Sequence, residues 1–166
     1  MLERLRRRNG PETRQRILAC VAATPSIHMN DAANQLGLAW NTVGHHARIL
    51  ERKGHLIKRK VGNKTQLYPV GMPPAIQNIL RALRDPDCAR ILKEIHGALP
   101  EARGTYELSD TTGLSLKVTL KHINQLVEDE LVVKIGASRP RYQSNLTPAM
   151  AVQYLGAGKA GHEDVA

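Results

Sequence analysis

The feature that most limits what this chain can fold into is an internal repeat. Gly37-Leu38 recurs as Gly113-Leu114, 76 residues further on, and the same shift carries His46 onto His122 and Leu50 onto Leu126. Around each dipeptide the apolar residues keep the same order of helical and extended runs. Two copies of one small domain explain a period of this length, because solenoid repeats are shorter and contiguous. A length of 166 residues accommodates two such domains.

In the first copy, PETRQRILACVAAT sets Ile17, Leu18 and Val21 on one helical face, with Pro11 at its start and Thr24-Pro25 closing it. An extended piece at Ile27 to Met29 leads to Asn30, a good N-cap residue, and to a short helix with Ala32, Ala33 and Leu36 that Gly37 ends. The next helix is longer, with Val43, Ala47 and Leu50 along one side and Gly54 as its stop. HLIKRKVGNKTQLYPV then reads as two strands around a tight Gly62-Asn63 turn.

This succession is that of a winged helix-turn-helix domain. The second copy repeats it: a helix with Asp85 as N-cap and Pro86 in first position, a short strand at TYEL, a short helix opened by Ser109, the long helix SLKVTLKHINQLVEDE, and the hairpin LVVKIGASRPRYQS. The expected fold is mainly α with small β-hairpin wings, as two tandem winged helix-turn-helix domains. The expected boundaries are a basic N-terminal arm at 1–10, domain 1 at 11–70, a linker helix at 71–84, domain 2 at 85–144 and a flexible C-terminal tail at 145–166. The apolar-striped linker, PPAIQNILRALR, suits a rigid spacer or a dimerisation surface equally.

Charge narrows the partner. The net charge is +9 and the pI about 9.9, which makes a polyanion the default ligand. Residues 1–70 hold 13 Lys or Arg against Glu3, Glu12, Asp31 and Glu51, whereas residues 71–166 hold 11 of each sign. The whole excess lies in the first half. Phe is absent and Trp occurs once, a composition of small helical modules rather than a sandwich or barrel. Cys20 and Cys88 are isolated, without metal or disulfide spacing, as suits a reducing cytoplasm. Neither a signal peptide nor a bilayer-spanning apolar run is present in the sequence, so no membrane role is expected.

The run LGLAWNTVGHHARILERKGHLIKRKVGNKTQLYPV resembles winged helix-turn-helix regulators of the MarR and ArsR type, particularly archaeal proteins with two such domains. The likeness covers residues 12–70 well and 86–144 more loosely. It implies a DNA-binding transcriptional regulator. The sequence departs from the family pattern in three places. Ala39 stands where the family often has a Ser N-cap, although the second copy has Ser115; the Cys-rich metal-sensing motif is missing; and the second copy has Glu130 where the long helix usually ends in Gly.

On the third helix Asn41, His45, Arg48 and Arg52 fall in one narrow stripe opposite the apolar face. In helix-turn-helix docking the early residues of this helix meet base edges, which assigns Trp40, Asn41, Thr42 and His45 to bases or sugar and Arg48 to bases or phosphate. Gly44 is expected to leave room for close backbone approach. Lys58, Arg59, Lys60, Asn63 and Lys64 around the hairpin turn can neutralise phosphates or enter the minor groove. Arg4, Arg6, Arg7 and Arg8 suit a flexible arm along the duplex or a merely solubilising terminus.

In the second copy the stripe becomes Lys117, Lys121, Asn124 and Glu128. Lys117, Lys121, Arg139 and Arg141 can still hold backbone, but Glu128, Asp129 and Glu130 would repel phosphate if they faced it. Domain 1 is therefore expected to dominate DNA affinity and domain 2 to assist or mediate association. His45 and His46 point about 100° apart on a helix and no Cys or carboxylate completes a site with them, so no metal is expected. His46 and His122 read as hydrogen-bonded packing residues.

Without a phosphate loop, nucleophile motif or paired carboxylates, an enzyme is not expected, nor is a cofactor. Partners are double-stranded DNA and, in a homodimer, a second copy of the chain; the same basic surface attracts RNA. The expected location is the cytoplasm, on the nucleoid. Alternatives are a sequence-tolerant, chromatin-like DNA-binding protein and a winged-helix protein-interaction adaptor.

Overall fold

In the computed structural model, the residues described are 10–156. The chain divides into two compact units, residues 1–77 and 78–166. The expected basic arm lies outside the described residues except at Gly10.

Unit 1 runs α1 (Gly10–Ala23), β1 (Ile27–His28), α2 (Met29–Leu36), α3 (Trp40–Arg52), β2 (Leu56–Val61) and β3 (Lys64–Pro69). Its antiparallel sheet has the order β1-β3-β2, with Ile27 opposite Leu67 and a β2–β3 register from Leu56↔Pro69 to Val61↔Lys64. That register leaves Gly62 and Asn63 as a two-residue turn, and Gly62 takes the positive φ of 59° that such turns need. Ile17, Val21, Val43, Ala47, Leu50, Leu56 and Leu67 meet in one core, each at most 2% exposed. Each large aliphatic side chain so buried contributes about 1.5–3 kcal/mol before entropy is subtracted. Gly37, at φ 64°, ends α2, and its N–H donates to the carbonyls of Ala33 and Asn34.

Two boundaries differ from expectation. In the second repeat TYEL, expected as a strand before a helix opened by Ser109, is the first half of a helix Thr105–Thr112; Gly104 takes the cap position, Glu107 accepts from its N–H, and the strand is only Arg103–Gly104. The other lies in unit 1. Asn30 does not cap α2; the helix starts at Met29 and His28 occupies the cap position without a side-chain capping bond. The reason is β-pairing. His28 sits opposite Gln66 in the sheet, so the extended backbone runs directly into the helix.

The helix α4 (Pro74–Arg84) follows. In unit 1, Gln77 Nε2 donates to the Met72 carbonyl at 2.8 Å and Arg59 Nη1 to Gln77 Oε1 at 3.4 Å. From Asn78 onward the helix belongs to unit 2, where Ile79 and Ala82 are buried. Asn78 Nδ2 donates to the Asp129 carbonyl at 3.0 Å, and Arg81 forms an ion pair with the Asp129 carboxylate. Asp129 therefore turns inward, at 7% exposure. The expectation that it would repel phosphate is corrected; of that acidic trio only Glu128 and Glu130 are exposed.

Unit 2 continues with α5 (Pro86–Gly97), β4 (Arg103–Gly104), α6 (Thr105–Thr112), α7 (Leu116–Glu128), β5 (Val132–Ile135), β6 (Arg141–Ser144) and α8 (Pro148–Leu155). Its sheet order, β4-β6-β5, reproduces that of unit 1. Asp85 Oδ1 accepts from the Asp87 and Cys88 N–H groups, and Ser115 Oγ accepts from Val118 N–H, so both expected caps form. Ile91, Leu92, Ile95, Leu108, Ile123 and Leu126 are fully buried. Part of the stretch expected to be a flexible tail is ordered: Thr147 caps α8 through its hydroxyl, Pro148 takes the first position, and Leu146 and Ala151 are buried. Residues 157–166 lie outside the described residues.

Two positions in unit 2 depart from their counterparts to its cost. Glu130 corresponds to Gly54 and shares its left-handed backbone, at φ 60° against 71°, a conformation that costs a non-glycine residue about 1–2 kcal/mol. Thr119 corresponds to Val43, is fully buried, and its hydroxyl has no hydrogen-bond partner. Glu130→Gly is expected to stabilise unit 2 by about 0.5 kcal/mol after glycine's entropy cost, and Thr119→Val by about 1 kcal/mol. Urea midpoints of both variants check this; a fall in either would refute the corresponding assignment.

Candidate nucleic-acid interface

The α3 helix owes its orientation to Val43, Ala47 and Leu50, which are buried in the unit 1 core. With one side fixed inward, the opposite stripe must face solvent. Asn41, His45, Arg48 and Arg52 are all exposed, Thr42 is half-buried, and Trp40, the first residue of α3, is 53% exposed. Among the described residues Asn41, Arg48 and Arg52 have no hydrogen bond or ion pair within the chain, so their polar groups are left to solvent or a ligand. Arg52 also sits in the last turn, where a cation suits the helix dipole.

The hairpin tip comes close to the start of this helix. A cavity of about 240 Å³ is lined by His28 to Asp31 at the start of α2, by Trp40, and by Asn63 to Thr65 at the turn. Trp40, Asn63 and Lys64 therefore share one face of unit 1. Sequence reading did not connect them, since only the β2–β3 register and the β1–β3 pairing bring residue 63 back to residue 40.

The remaining basic residues of the hairpin divide by their partners. Lys60 and Lys64 are exposed and unpaired among the described residues. Lys58 Nζ lies 2.8 Å from Glu51 Oε2 on α3, and Arg59 bonds Gln77. These two side chains are held by unit 1 itself and would have to exchange a partner to take a phosphate. In unit 2, Lys117, Lys121 and Arg139 are exposed. Arg141 donates from Nε to the Ala102 carbonyl at 2.9 Å and pairs with Glu107 at 3.4 Å. The Gly104 N–H, and then Arg141 and Arg103, hold the Glu107 carboxyl below the usual carboxylate range.

Gly44 serves a different neighbour from the one expected. A side chain there would meet the Met29 sulfur and methyl at 3.7 and 3.8 Å. These are ordinary van der Waals distances, so the bare position faces α2. The reading of His46 is corrected in part. It packs edge-on against His45, with ring centroids 5.2 Å apart, but its Nδ1 is buried without a hydrogen bond.

Burial, followed by the charges of His45 and Arg14, lowers the His46 pKa. In the unfolded chain this imidazole titrates near its ordinary value of about 6.5. Below that pH the unfolded chain binds a proton that the folded chain resists, so this group's contribution is full above the unfolded pKa and is lost as pH falls. The urea midpoint of unit 1 is expected to drop between about pH 7.5 and pH 5.5, and to drop less in His46→Gln. An equal drop in the variant would remove His46 as its source. Cys20 and Cys88 are buried free thiols; burial and the neighbouring Asp85 push the Cys88 thiol up to about 12, so it stays protonated.

Among the described residues, no helix is long and apolar enough to cross a membrane. No curated protein matches the chain. Among solved structures, NolR from Sinorhizobium fredii is 21% identical and covers 48% of this chain and 77% of its own, with a TM-score of 0.40. ScpB from Mycobacterium tuberculosis is 12% identical and covers 89% of this chain and 96% of its own, with a TM-score of 0.31. A family model described as HTH_HVO_0163_N, N-terminal HTH domain, matches residues 11–80, and this segment is a helix-turn-helix domain.

Proposed function

We propose that the chain is a DNA-binding transcriptional regulator of the MarR/ArsR kind, built from two tandem winged helix-turn-helix domains. The observation that carries the reading is the exposed stripe Asn41, His45, Arg48 and Arg52 on the last helix of a helix-turn-helix domain. In this reading α3 enters the major groove with Trp40, Asn41, Thr42 and His45 toward base edges, while Lys60, Asn63 and Lys64 at the hairpin tip meet phosphate or the minor groove. Unit 2 assists binding or mediates association, since its equivalent stripe contains Glu128 and its Arg141 is already engaged. The repeated element order supports the tandem reading. No catalytic step and no cofactor form part of the proposal, and its setting is the cytoplasm.

Selection of bound sequences from a random duplex pool at near-physiological salt tests it, with wild type beside Asn41→Ala/Arg48→Ala. A motif enriched by the wild type and lost by the double variant is expected. Binding without enrichment would replace the regulator with a chromatin-like role, for which the concentration of positive charge in residues 1–70 is the supporting observation. In that case affinity should fall with salt at a slope of about −0.9 per neutralised phosphate. Failure to bind duplex DNA would refute both.

A further inference from the structure

We propose that Asp85, Asp87 and His122 of unit 2 form a binding site for a divalent transition-metal ion that ties the start of α5 to α7. One ligand atom from each of the three lies within 4.8 Å of the others. The sequence gives no metal motif because the carboxylates and the imidazole come from helices far apart in the chain.

The histidine distinguishes this cluster from an ordinary acidic helix start. His122 is 8% exposed. Its imidazole makes no hydrogen bond within the chain among the described residues, which corrects the expectation of a hydrogen-bonded packing residue, and a ring nitrogen sits beside two carboxylates and is open to a ligand. Asp85 spends Oδ1 on capping α5, accepting from the N–H groups of Asp87 and Cys88, which leaves Oδ2 for a ligand. Asp87 is half-buried and Asp85 is exposed, so an ion can enter from solvent.

The donor set fits a borderline ion such as Zn²⁺, bound at about 2.0–2.2 Å by imidazole nitrogen and carboxylate oxygen. The three atoms would have to draw together from their present spacing to reach that range. Charge balances as well: the two carboxylates neutralise a divalent cation. Three protein ligands leave a coordination position open to water.

The repeat supplies an internal control. In unit 1, His46 is the counterpart of His122, and among the described residues no comparable group of ligating side chains gathers around it.

Titration of EDTA-stripped, tag-free full-length chain with ZnCl₂, followed by calorimetry and thermal denaturation, tests the proposal. One equivalent is expected to bind and to raise the melting temperature by several degrees at saturation. Asp85→Asn keeps a good N-cap residue while removing the charge, and Asp87→Asn alters only a partly exposed side chain. Each is expected to weaken zinc binding at least tenfold, His122→Gln to abolish it, and His46→Gln to leave it unchanged. No zinc binding by the wild type would overturn the proposal. So would binding that survives Asp87→Asn and His122→Gln, or that disappears in His46→Gln.

Discussion

Arg48→Glu is expected to weaken duplex binding by about 100-fold, which corresponds to about 2.7 kcal/mol. A single arginine contact to a base or phosphate is worth about 1–3 kcal/mol, and reversal adds repulsion between a carboxylate and the phosphates. Arg48 is exposed and has no partner within the chain among the described residues, so the fold should change by no more than about 0.5 kcal/mol. Fluorescence anisotropy on a selected duplex, with circular dichroism as the folding control, measures both. Arg48→Ala then locates the contact. A salt slope reduced by about 1 indicates phosphate, whereas an unchanged slope with relaxed sequence preference indicates a base edge. The comparison that decides between the units is Lys117→Glu with Lys121→Glu, whose combined effect is expected to be smaller. A loss as large as that from Arg48→Glu would overturn the leading role given to α3.

What could be read from the sequence follows from the range of the interactions involved. The helices and hairpins of both units are set by apolar period, by glycines at Gly37, Gly54 and Gly62, and by the caps Asp85 and Ser115, all of which act within a few residues. The stripe on α3 was legible for the same reason: once Val43, Ala47 and Leu50 face inward, the helical period puts Asn41, His45, Arg48 and Arg52 outward. Pairings across the fold were not legible. Nothing local says that Lys58 is spent on Glu51, Arg59 on Gln77, Arg141 on Ala102 and Glu107, or that Asp129 turns in toward Arg81. A count of basic residues therefore overstates the cations available to a phosphate backbone. The α8 helix is a different kind of miss. Thr147-Pro148 is a local start signal, but it lies in an Ala- and Gly-rich stretch whose composition suggested a tail.

Asp129→Ala is expected to destabilise unit 2 by about 3 kcal/mol, because it removes the carboxylate half of a largely buried ion pair and leaves the Arg81 charge less compensated. Arg81 and Asp129 have side-chain exposures of 14% and 7%. The same carboxylate oxygen that meets Arg81 also accepts from Gln125 Nε2 at 3.1 Å, so the substitution breaks both bonds. The Asn78 bond survives, since it goes to the Asp129 carbonyl. At a urea dependence of about 1–3 kcal/mol per molar, the unit 2 midpoint should fall by roughly 2 M. Trp40, the sole tryptophan, lies in unit 1 and reports on that unit, whereas far-UV circular dichroism reports on both. The expected result is a dichroism transition that spreads to lower urea while the tryptophan transition stays in place. If the two probes shift together, the units unfold as one; if neither shifts, the pair contributes little. Replacing both partners, Arg81→Met with Asp129→Leu, should recover most of the loss, because an apolar pair leaves no buried charge behind. That recovery would separate the cost of an under-compensated buried charge from any net gain supplied by the ion pair itself.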